Sequence, residues 1–272
     1  MSAINAVTDY AREDDVGVIT LNSPPVNALS APVRDGLAEG MKAALADPAA
    51  KAVVIICEGR TFIAGADITE FGGQMKGASL FDVIGALEGS SKPVVAAIHG
   101  TALGGGLEVA LACHYRVAVP SARCGLPEVN LGLLPGAGGT QRLPRIVGAE
   151  KALSMMTSGA HVPAAQCLAM GLVDELVTEG QLRAGAIAFA HKAAAEGWPL
   201  RKVRDRDEKM LEARKKPEIF ADFRKTNARK FRGFLAPEYN IRCIEAAVNL
   251  PFDEGLALER KLFMELMTGP QS

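Results

Sequence analysis

The sequence lacks the features that mark several classes of protein. Its five cysteines are scattered and none belongs to a C-x-x-C pair, so neither a disulfide framework nor a zinc site is predicted. No run of about 18 uncharged apolar residues occurs, which excludes a predicted membrane span. The formal net charge is only −1, so we do not expect a surface built as a whole for nucleic acid or anionic lipid.

The two ends of the sequence show no targeting pattern. The first segment, MSAINAVTDYAREDDVG, carries acids where a signal peptide carries bases, and it lacks the apolar stretch of such a peptide. The last residues, GPQS, differ from a peroxisomal signal of the SKL type. The cysteines fit core thiols in a reducing compartment, and we therefore expect a cytoplasmic protein.

What is present is an alternation of strand-like and helical segments. The run AVVIICEG at 52–59 is fully apolar, which is typical of a buried parallel strand. A helix-spaced segment precedes it, so strand, helix and strand form a crossover unit and predict an α/β fold. The predicted strands are 16–21, 52–59, 93–100, 116–119 and 172–177; the predicted helices are 30–47, 79–91, 150–158, 163–170, 184–195 and 251–268; and 135–141 is predicted as a glycine-rich loop.

A glycine-rich helix start stands out at the centre of the sequence. Gly104, Gly105 and Gly106 directly precede an apolar helical run that has Glu108 in its first turn. Backbone N–H groups at such a start, together with the helix dipole, suit an oxygen that becomes negative during a reaction. Glu128 follows a proline twenty residues later, and proline favours the first position of a helix. The pattern predicts a donor pocket with two acids.

Each of these signals also has a structural interpretation. A glycine run alone is more often a tight turn, and an acid in the first turn of a helix is usually a surface residue favoured by the helix dipole. The sequence nevertheless presents AGAD, GGGLE, PE and PGAGGTQR as one ordered series. Such a series is far more specific than any of its members, and it favours the functional interpretation.

The ordered series resembles the enoyl-CoA hydratase/isomerase (crotonase) superfamily. HGTALGGGLEVALACHYRVA, then GLPEVNLGLLPGAGGTQRLPRIVG, resembles one signature of that family, and AGADITEF at 64–71 resembles another. PPVNALS at 24–30, KFRGFLAPEYNIRCIEAAV at 230–248 and PFDEGLALERKLFMEL at 251–266 resemble most the hydratase half of the multifunctional β-oxidation enzymes. Those enzymes continue into an NAD-dependent 3-hydroxyacyl-CoA dehydrogenase half, whereas this sequence ends at Ser272.

The resemblance implies a fold and a division of the chain. The fold class is α/β, a crotonase-like spiral of ββα repeats with a C-terminal helical region. We expect residues 1–190 to form the spiral core with the CoA-thioester site. Residues 191–272 are expected to complete the pocket and to make oligomer or linker contacts.

The resemblance also implies a role for each candidate site residue. The N–H groups of Ala66 and Gly105 would bind the thioester oxygen, Glu108 would activate a water molecule, and Glu128 would supply a proton to Cα. His99, His114 and the loop 135–141 are given no chemistry. The residues expected to bind the substrate and its CoA moiety are Ile63, Ala64, Gly65, Asp67, Ile68 and Gly104.

The implied function is an enoyl-CoA hydratase that adds water to 2-enoyl-CoA thioesters in fatty-acid β-oxidation. The alternatives are a Δ3,Δ2-enoyl-CoA isomerase and a non-catalytic subunit that binds CoA thioesters. No metal and no cofactor are expected, because coenzyme A is part of the substrate. The expected partners are the acyl-CoA substrate, further copies of the chain in a homo-oligomer such as a trimer, and a separate 3-hydroxyacyl-CoA dehydrogenase; neither nucleic acid nor a membrane span is expected.

A basic segment follows the predicted core. Residues 201–232 contain 13 Lys and Arg against 6 Asp and Glu. Some of these bases could meet the phosphates of coenzyme A, because guanidinium and ammonium groups bind phosphate well. The simpler interpretation is a solvated helical face, which is favoured for any single residue.

Overall fold

The fold is built on a sheet of seven strands, seen in a computed structural model that describes residues 2–67, 70 and 76–272. Its strand order is β1-β2-β3-β4-β5-β7-β10. The strands of the described residues are β1 (Ser2–Asn5), β2 (Thr8–Glu13), β3 (Val16–Leu21), β4 (Ala52–Cys57), β5 (Val94–Ile98), β6 (Thr101–Leu103), β7 (Tyr115–Ala118), β8 (Arg123–Gly125), β9 (Val162–Pro163) and β10 (Glu175–Leu176).

The centre of the sheet is parallel and completely covered. Strands β3, β4, β5, β7 and β10 pair in parallel, and every residue of β4, β5 and β7 is buried. The sequences of β4 and β5 are continuous apolar runs, as is typical of parallel strands covered on both faces. This part of the α/β prediction is confirmed.

The sequence did not predict the N-terminal hairpin. Strands β1 and β2 pair antiparallel, and β2 continues antiparallel onto β3. Both carry polar residues and are only partly buried, so neither contains the continuous apolar run on which the strand predictions depended. The predicted strand at 172–177 is also shorter than expected, because only Glu175–Leu176 pairs with β7.

A second, small sheet connects two short signatures of the site, GGGLE at 104–108 and the pair Pro127–Glu128. Strand β6 pairs in parallel with β8, so that Leu103 faces Gly125, and the N–H of Gly104 donates to the Gly125 carbonyl oxygen at 3.0 Å. Strand β9 pairs antiparallel with the other side of β8. Since Glu128 lies just beyond β8 and Gly104 just beyond β6, this pairing brings the two signatures side by side.

Helices surround the sheets, and those of the described residues are α1 (Ala31–Ala46), α2 (Leu80–Glu88), α3 (Gly105–Ala112), α4 (Gly139–Val147), α5 (Ala149–Ser158), α6 (Ala164–Ala169), α7 (Leu182–Ala195), α8 (Glu208–Arg214), α9 (Glu218–Asn227), α10 (Leu235–Asn249) and α11 (Phe252–Met267). Short 3₁₀ helices occupy Pro127–Leu131 and Val203–Asp205. Ser79 and Asp82 form a capping box at the start of α2.

The predicted loop at 135–141 is too long. Helix α4 already begins at Gly139, directly after Gly138, whose φ of 94° is a conformation that favours glycine. The N–H groups of this first turn donate to buried carboxylates, which compensates for the intrahelical partners that a helix start lacks. The loop prediction missed this because those carboxylates come from distant parts of the chain.

The C-terminal helices pack on the site side of the molecule. Helix α10 contacts α4, α5, α8 and α11, and α11 also contacts α4. Gly255 of α11 lies so close to Gln141 of α4 that a Cβ atom would overlap the Gln141 side chain. The chain segment 191–272 is therefore helical, as expected, apart from its connecting loops. No helix within the described part of the chain is long and apolar enough to cross a membrane.

Candidate active site

The site is built around the start of α3. Gly104 precedes this helix with φ 52° and ψ −128°, a backbone conformation that side chains disfavour. A Cβ atom at Gly106 would overlap the carbonyl oxygen of Ile63. The glycines thus let the helix start against the 63–66 segment, and the first-turn N–H of Gly105 has no partner within α3.

The structure brings Ala66 beside Gly105, as the resemblance implied. The Ala66 nitrogen lies 3.8 Å from the point where a Cβ of Gly105 would stand. A parallel bridge between Leu29 and Ala66, with the Leu29 N–H donating to Gly65 O at 2.9 Å, holds the segment in place. The two predicted oxyanion donors are therefore neighbours.

The expected substrate-binding residues occupy the same strip of chain, but they differ in exposure. Ile63 is completely buried and its carbonyl accepts the N–H of Leu103 at 3.1 Å, whereas Ala64 and Asp67 are partly exposed and Ala66 is exposed. Ile68 lies outside the described residues.

Glu108 is a buried acid held by two backbone donors. Its side chain is 3% exposed, and Oε1 accepts the N–H groups of Ala137 and Gly139, each at 2.8 Å. Burial raises the pKa of the Glu108 carboxyl, while the two hydrogen bonds and Arg142 act against that rise. Acceptance of two N–H groups by one oxygen fixes the orientation of the carboxyl group.

Glu128 stands on the opposite side of the helix start. It lies in the 3₁₀ helix Pro127–Leu131, and its Oε1 is 3.1 Å from the point where a Cβ of Gly104 would stand. Its Oε2 is buried and has no hydrogen-bond partner among the described residues. Burial, and then the charge of Glu108, raise the pKa of Glu128 well above its usual range. The surroundings of Glu128 therefore favour its protonated form.

A third buried acid, Glu259 of α11, was missed by the sequence analysis. It is completely buried, and its carboxylate accepts the N–H of Gly138 at 2.7 Å and the N–H of Thr140 at 3.1 Å, with a further hydrogen bond from the Thr140 hydroxyl. Burial, followed by the charge of Glu108, raises the pKa of Glu259 to about 8.

The spacing of α11 contained a signal for Glu259. The buried residues of this helix recur three and four positions apart, which is the spacing of one helical face, and Glu259 is the acid in that series. An acid on an otherwise apolar face needs a buried partner. The buried residues of α11 are Phe252, Gly255, Glu259, Leu262 and Leu266.

Arg142 lies near these acids but does not neutralise them, because its guanidinium is paired with Glu88. Its Nε and Nη2 donate to the two carboxylate oxygens of Glu88 at 3.1 and 3.0 Å, and its Nη1 donates to Ala137 O at 3.3 Å. Arg142 therefore braces the turn that carries Ala137. When buried carboxyls lie near one another without a neutralising charge, protonation of at least one of them is favoured.

The histidines and other polar groups contribute little to this site. His114 is completely buried, its Nδ1 accepts the N–H of Val94 at 3.1 Å, and burial lowers the pKa of its imidazole to about 4. His99 contacts the Gly59 carbonyl oxygen at 2.9 Å. Within residues 2–67, 70 and 76–272, no group of three or more His, Cys, Asp or Glu is placed to hold a metal ion.

Comparisons with known proteins match this geometry. The family model described as enoyl-CoA hydratase/isomerase matches residues 11–231. A peroxisomal bifunctional enzyme of Danio rerio is 45% identical over 262 residues, which cover 94% of this chain and 35% of that protein. The human peroxisomal bifunctional enzyme is 39% identical over 268 residues, covering 98% of this chain and 37% of that protein. The chain thus spans about a third of the length of these relatives.

A solved structure shows the same fold. An enoyl-CoA hydratase from Mycobacterium avium subsp. paratuberculosis K-10 aligns with a TM-score of 0.69 and 26% identity, covering 99% of this chain and 97% of that one. The α/β, crotonase-like fold prediction is confirmed. Because the family model matches most of the chain and the site geometry agrees with it, the chain belongs to the enoyl-CoA hydratase/isomerase family.

Proposed function

We propose that the protein is an enoyl-CoA hydratase that converts 2-enoyl-CoA thioesters to 3-hydroxyacyl-CoA in fatty-acid β-oxidation. The observation that carries this proposal is the pair of carboxylates, Glu108 and Glu128, at a helix start where the N–H groups of Ala66 and Gly105 meet. Membership of the family supports it, as do the hydratase structure and the bifunctional relatives.

The donor pair would act on the thioester carbonyl. As water adds at Cβ, the electrons of the double bond move toward the carbonyl oxygen, which becomes an enolate oxygen. The N–H groups of Ala66 and Gly105 would stabilise that charge, each by about 3–4 kcal/mol on the scale of oxyanion-hole donors. Their catalytic value depends on preorganisation, which Gly104 and the tight contact at Gly106 supply.

The two acids would divide the proton transfers. Glu108 is oriented by hydrogen bonds that both end on Oε1, so Oε2 can hold the water molecule and take its proton as the C–O bond forms. Glu128, which keeps its proton, gives it from Oε2 to Cα as the enolate collapses. The π bond is replaced by one C–O and one C–H bond, and the proton on Glu108 restores Glu128 through water.

We propose further that Ala64, Gly65, Asp67 and Gly104 contact the substrate or its CoA moiety, together with Ile63 and Ile68. Ile63 is completely buried and its carbonyl oxygen already accepts the Leu103 N–H, so it would contribute by holding this segment in place. Coenzyme A arrives as part of the substrate, and the prediction that no metal or further cofactor takes part stays a prediction.

Partners and location are extensions of the same proposal. The relatives are named as peroxisomal bifunctional enzymes, and we propose that a 3-hydroxyacyl-CoA dehydrogenase acts on the product of this chain. Three further expectations stay predictions. They are a homo-oligomer, with a trimer as one form; the division of the chain at residue 190; and a cytoplasmic location.

One experiment in H₂¹⁸O separates the hydratase from its alternatives. A hydratase converts crotonyl-CoA to 3-hydroxybutyryl-CoA that carries ¹⁸O at C3, which mass spectrometry detects. An isomerase interconverts but-3-enoyl-CoA and crotonyl-CoA without taking up oxygen, because the same acids can move a proton between Cα and Cγ. A non-catalytic subunit binds the thioesters and changes neither. The absence of ¹⁸O from the product of crotonyl-CoA and of longer 2-enoyl-CoA substrates would contradict the proposal.

A further inference from the structure

Two carboxylates accept, in alternation, the N–H groups of residues 137–140, the turn that leads into α4. The N–H groups of Ala137 and Gly139 donate to Glu108, and those of Gly138 and Thr140 donate to Glu259. One acid comes from α3 and the other from α11, 151 positions apart in the sequence. The four successive N–H groups are therefore held from two sides, so the turn cannot shift relative to one acid without straining its bonds to the other.

The contacts of Glu259 are those of a group built into this position. Gln141 Nε2 donates to Thr140 Oγ1 at 2.9 Å, so the hydroxyl proton of Thr140 points to Glu259. The main chain of α11 is seated against Gln141 at Gly255, and the Phe263 ring packs on Gly136. Both contacts fix α11 close to the turn on either side of Glu259.

We propose that Glu259 is a positioning residue for hydration: it holds the 137–140 turn so that the Ala137 and Gly139 N–H groups orient Glu108. The inference rests on the proposed function. Glu259 acts through Glu108 and has no assigned contact with the substrate. In consequence the C-terminal helix, which contributes no catalytic group, becomes a part of the active-site support.

Several charged or titratable groups from the surrounding elements face Glu259. They are Glu108 of α3, Glu128 of the 3₁₀ helix and Cys243 of α10. Arg142 of α4 acts on Glu108, and its charge is paired with Glu88. Ionised Glu259 accepts its three donors as a carboxylate can, whereas the protonated form must give up part of that capacity. Its hold on the turn should therefore strengthen as the pH rises through its titration.

The kinetic test compares Glu259→Gln with Glu254→Gln, an exposed acid on the same helix. The amide introduced by Glu259→Gln could not accept all three donors, so we expect kcat for crotonyl-CoA to fall about tenfold to a hundredfold, because small misplacement of a catalytic group costs that much. KM should change less than about twofold, since uniform substrate binding is intact. The loss of kcat should grow between about pH 7 and pH 9, on either side of the Glu259 pKa of about 8. The control, Glu254→Gln, should have the kcat and KM of wild type.

Two results would overturn the inference. One is a folded Glu259→Gln variant whose kcat stays within about twofold of wild type. The other is a fall in kcat that is the same at every pH, because such a fall would not depend on the ionisation of Glu259 and would indicate a role in packing alone.

Amide hydrogen exchange tests the same inference without activity. In Glu259→Gln the amides of Ala137 and Gly139, which donate to Glu108 and not to Glu259, should exchange faster relative to amides of β4. Unchanged exchange contradicts the positioning role, even if wild type fails to hydrate any thioester. If Glu259→Gln does not fold, Thr140→Val removes one donor and keeps the acid; faster exchange at Ala137 and Gly139 supports the inference, and unchanged exchange overturns it.

Discussion

Glu108 and Glu128 are the same residue type, yet their side chains differ in their hydrogen-bond partners. Glu108 receives two backbone N–H groups on one oxygen, which stabilises its charged form. Glu128 has a buried Oε2 without a partner in the described part of the chain, which favours its protonated form. The proposed division into base and acid depends on this difference in hydrogen bonding and not on the residue type.

The raised pKa of Glu128 predicts how stability depends on pH. A carboxyl group whose pKa is higher in the folded state binds more protons there, so its contribution to the free energy of unfolding is full below its ordinary pKa of about 4.3 and is lost as pH rises through the raised value. Glu128→Gln cannot titrate. Urea unfolding from about pH 5 to pH 9 should therefore show a smaller fall of the free energy of unfolding with pH in the variant than in wild type.

Parallel curves for wild type and Glu128→Gln would contradict this explanation. An exposed control, Glu254→Gln, should give the wild-type slope because this side chain lies in solvent. At high pH we expect Glu128→Gln to be more stable than wild type and less active, which is the usual relation when a catalytic group is held in an unfavourable place.

Individual site residues were predictable to very different degrees. Gly105 and Glu108 stand together in one helix start, so a local pattern identified them. Ala66 came only from the resemblance, because nothing in the sequence shows that its loop meets α3. Glu259 was missed because its role depends on how α11 packs on α4. Local signals reveal donors and acids, whereas contacts between distant segments decide which of them act together.

At the scale of elements, the packing of α3 against the 63–66 segment sets the donor geometry. A Cβ at Gly106 would overlap the Ile63 carbonyl oxygen, and backbone cannot move aside cheaply. We expect Gly106→Ala to lower the free energy of unfolding by about 1–3 kcal/mol, which is the cost of overpacking. The hydration rate should fall as well, because Gly105 is displaced with its neighbour.

A helical glycine with open space provides the matched control. Gly85 lies within α2, is exposed, and has no atom within 4 Å of the point where a Cβ would stand. Gly85→Ala should raise the free energy of unfolding by roughly 0.5–1 kcal/mol, because alanine is the better helix former. Equal effects of the two substitutions in urea unfolding would show that α3 tolerates a side chain at Gly106.

The elements themselves were predicted where their burial is uniform. Strands β4 and β5 are buried throughout, and their continuous apolar sequences predicted them. Strands β6 and β8 are three residues each, so their pairing depends on the fold around them and not on a periodic pattern. These short strands nevertheless place Gly104 beside Glu128, which is why the site could not be assembled from the sequence.

For the whole molecule, three arginines of the basic segment 201–232 form ion pairs within the chain. Arg204 pairs with Asp253 at 2.8 Å, and Arg214 pairs with Asp207 at 3.1 Å. Arg224 bridges two acids of α10, Glu238 and Glu245, at 2.8 and 2.7 Å. Arg204 and Arg224 join C-terminal helices through these ion pairs, and the Arg214 Nε donates to the Val248 carbonyl oxygen of α10. These contacts support the structural interpretation for these three bases.

The homo-oligomer prediction also belongs to this scale. Leu131 and Phe234 are 55% and 63% exposed, and both line one cavity of about 1040 Å³ near the C-terminus. Large apolar side chains that stay in water are costly. Sedimentation equilibrium should give a mass that is a multiple of 28.6 kDa, with three copies for a trimer. A single species of 28.6 kDa at all concentrations would contradict the prediction.

The central claim is that Glu108 and Glu128 together hydrate a 2-enoyl thioester. The most direct measurement is the loss of absorbance of crotonyl-CoA with wild type, Glu108→Gln and Glu128→Gln, with thioester binding measured by calorimetry. Wild type should remove the conjugated absorbance, while each variant should bind but turn over about 10²–10⁴-fold more slowly, as expected for loss of a general acid or base. Hydration at a near wild-type rate in either variant would contradict the claim.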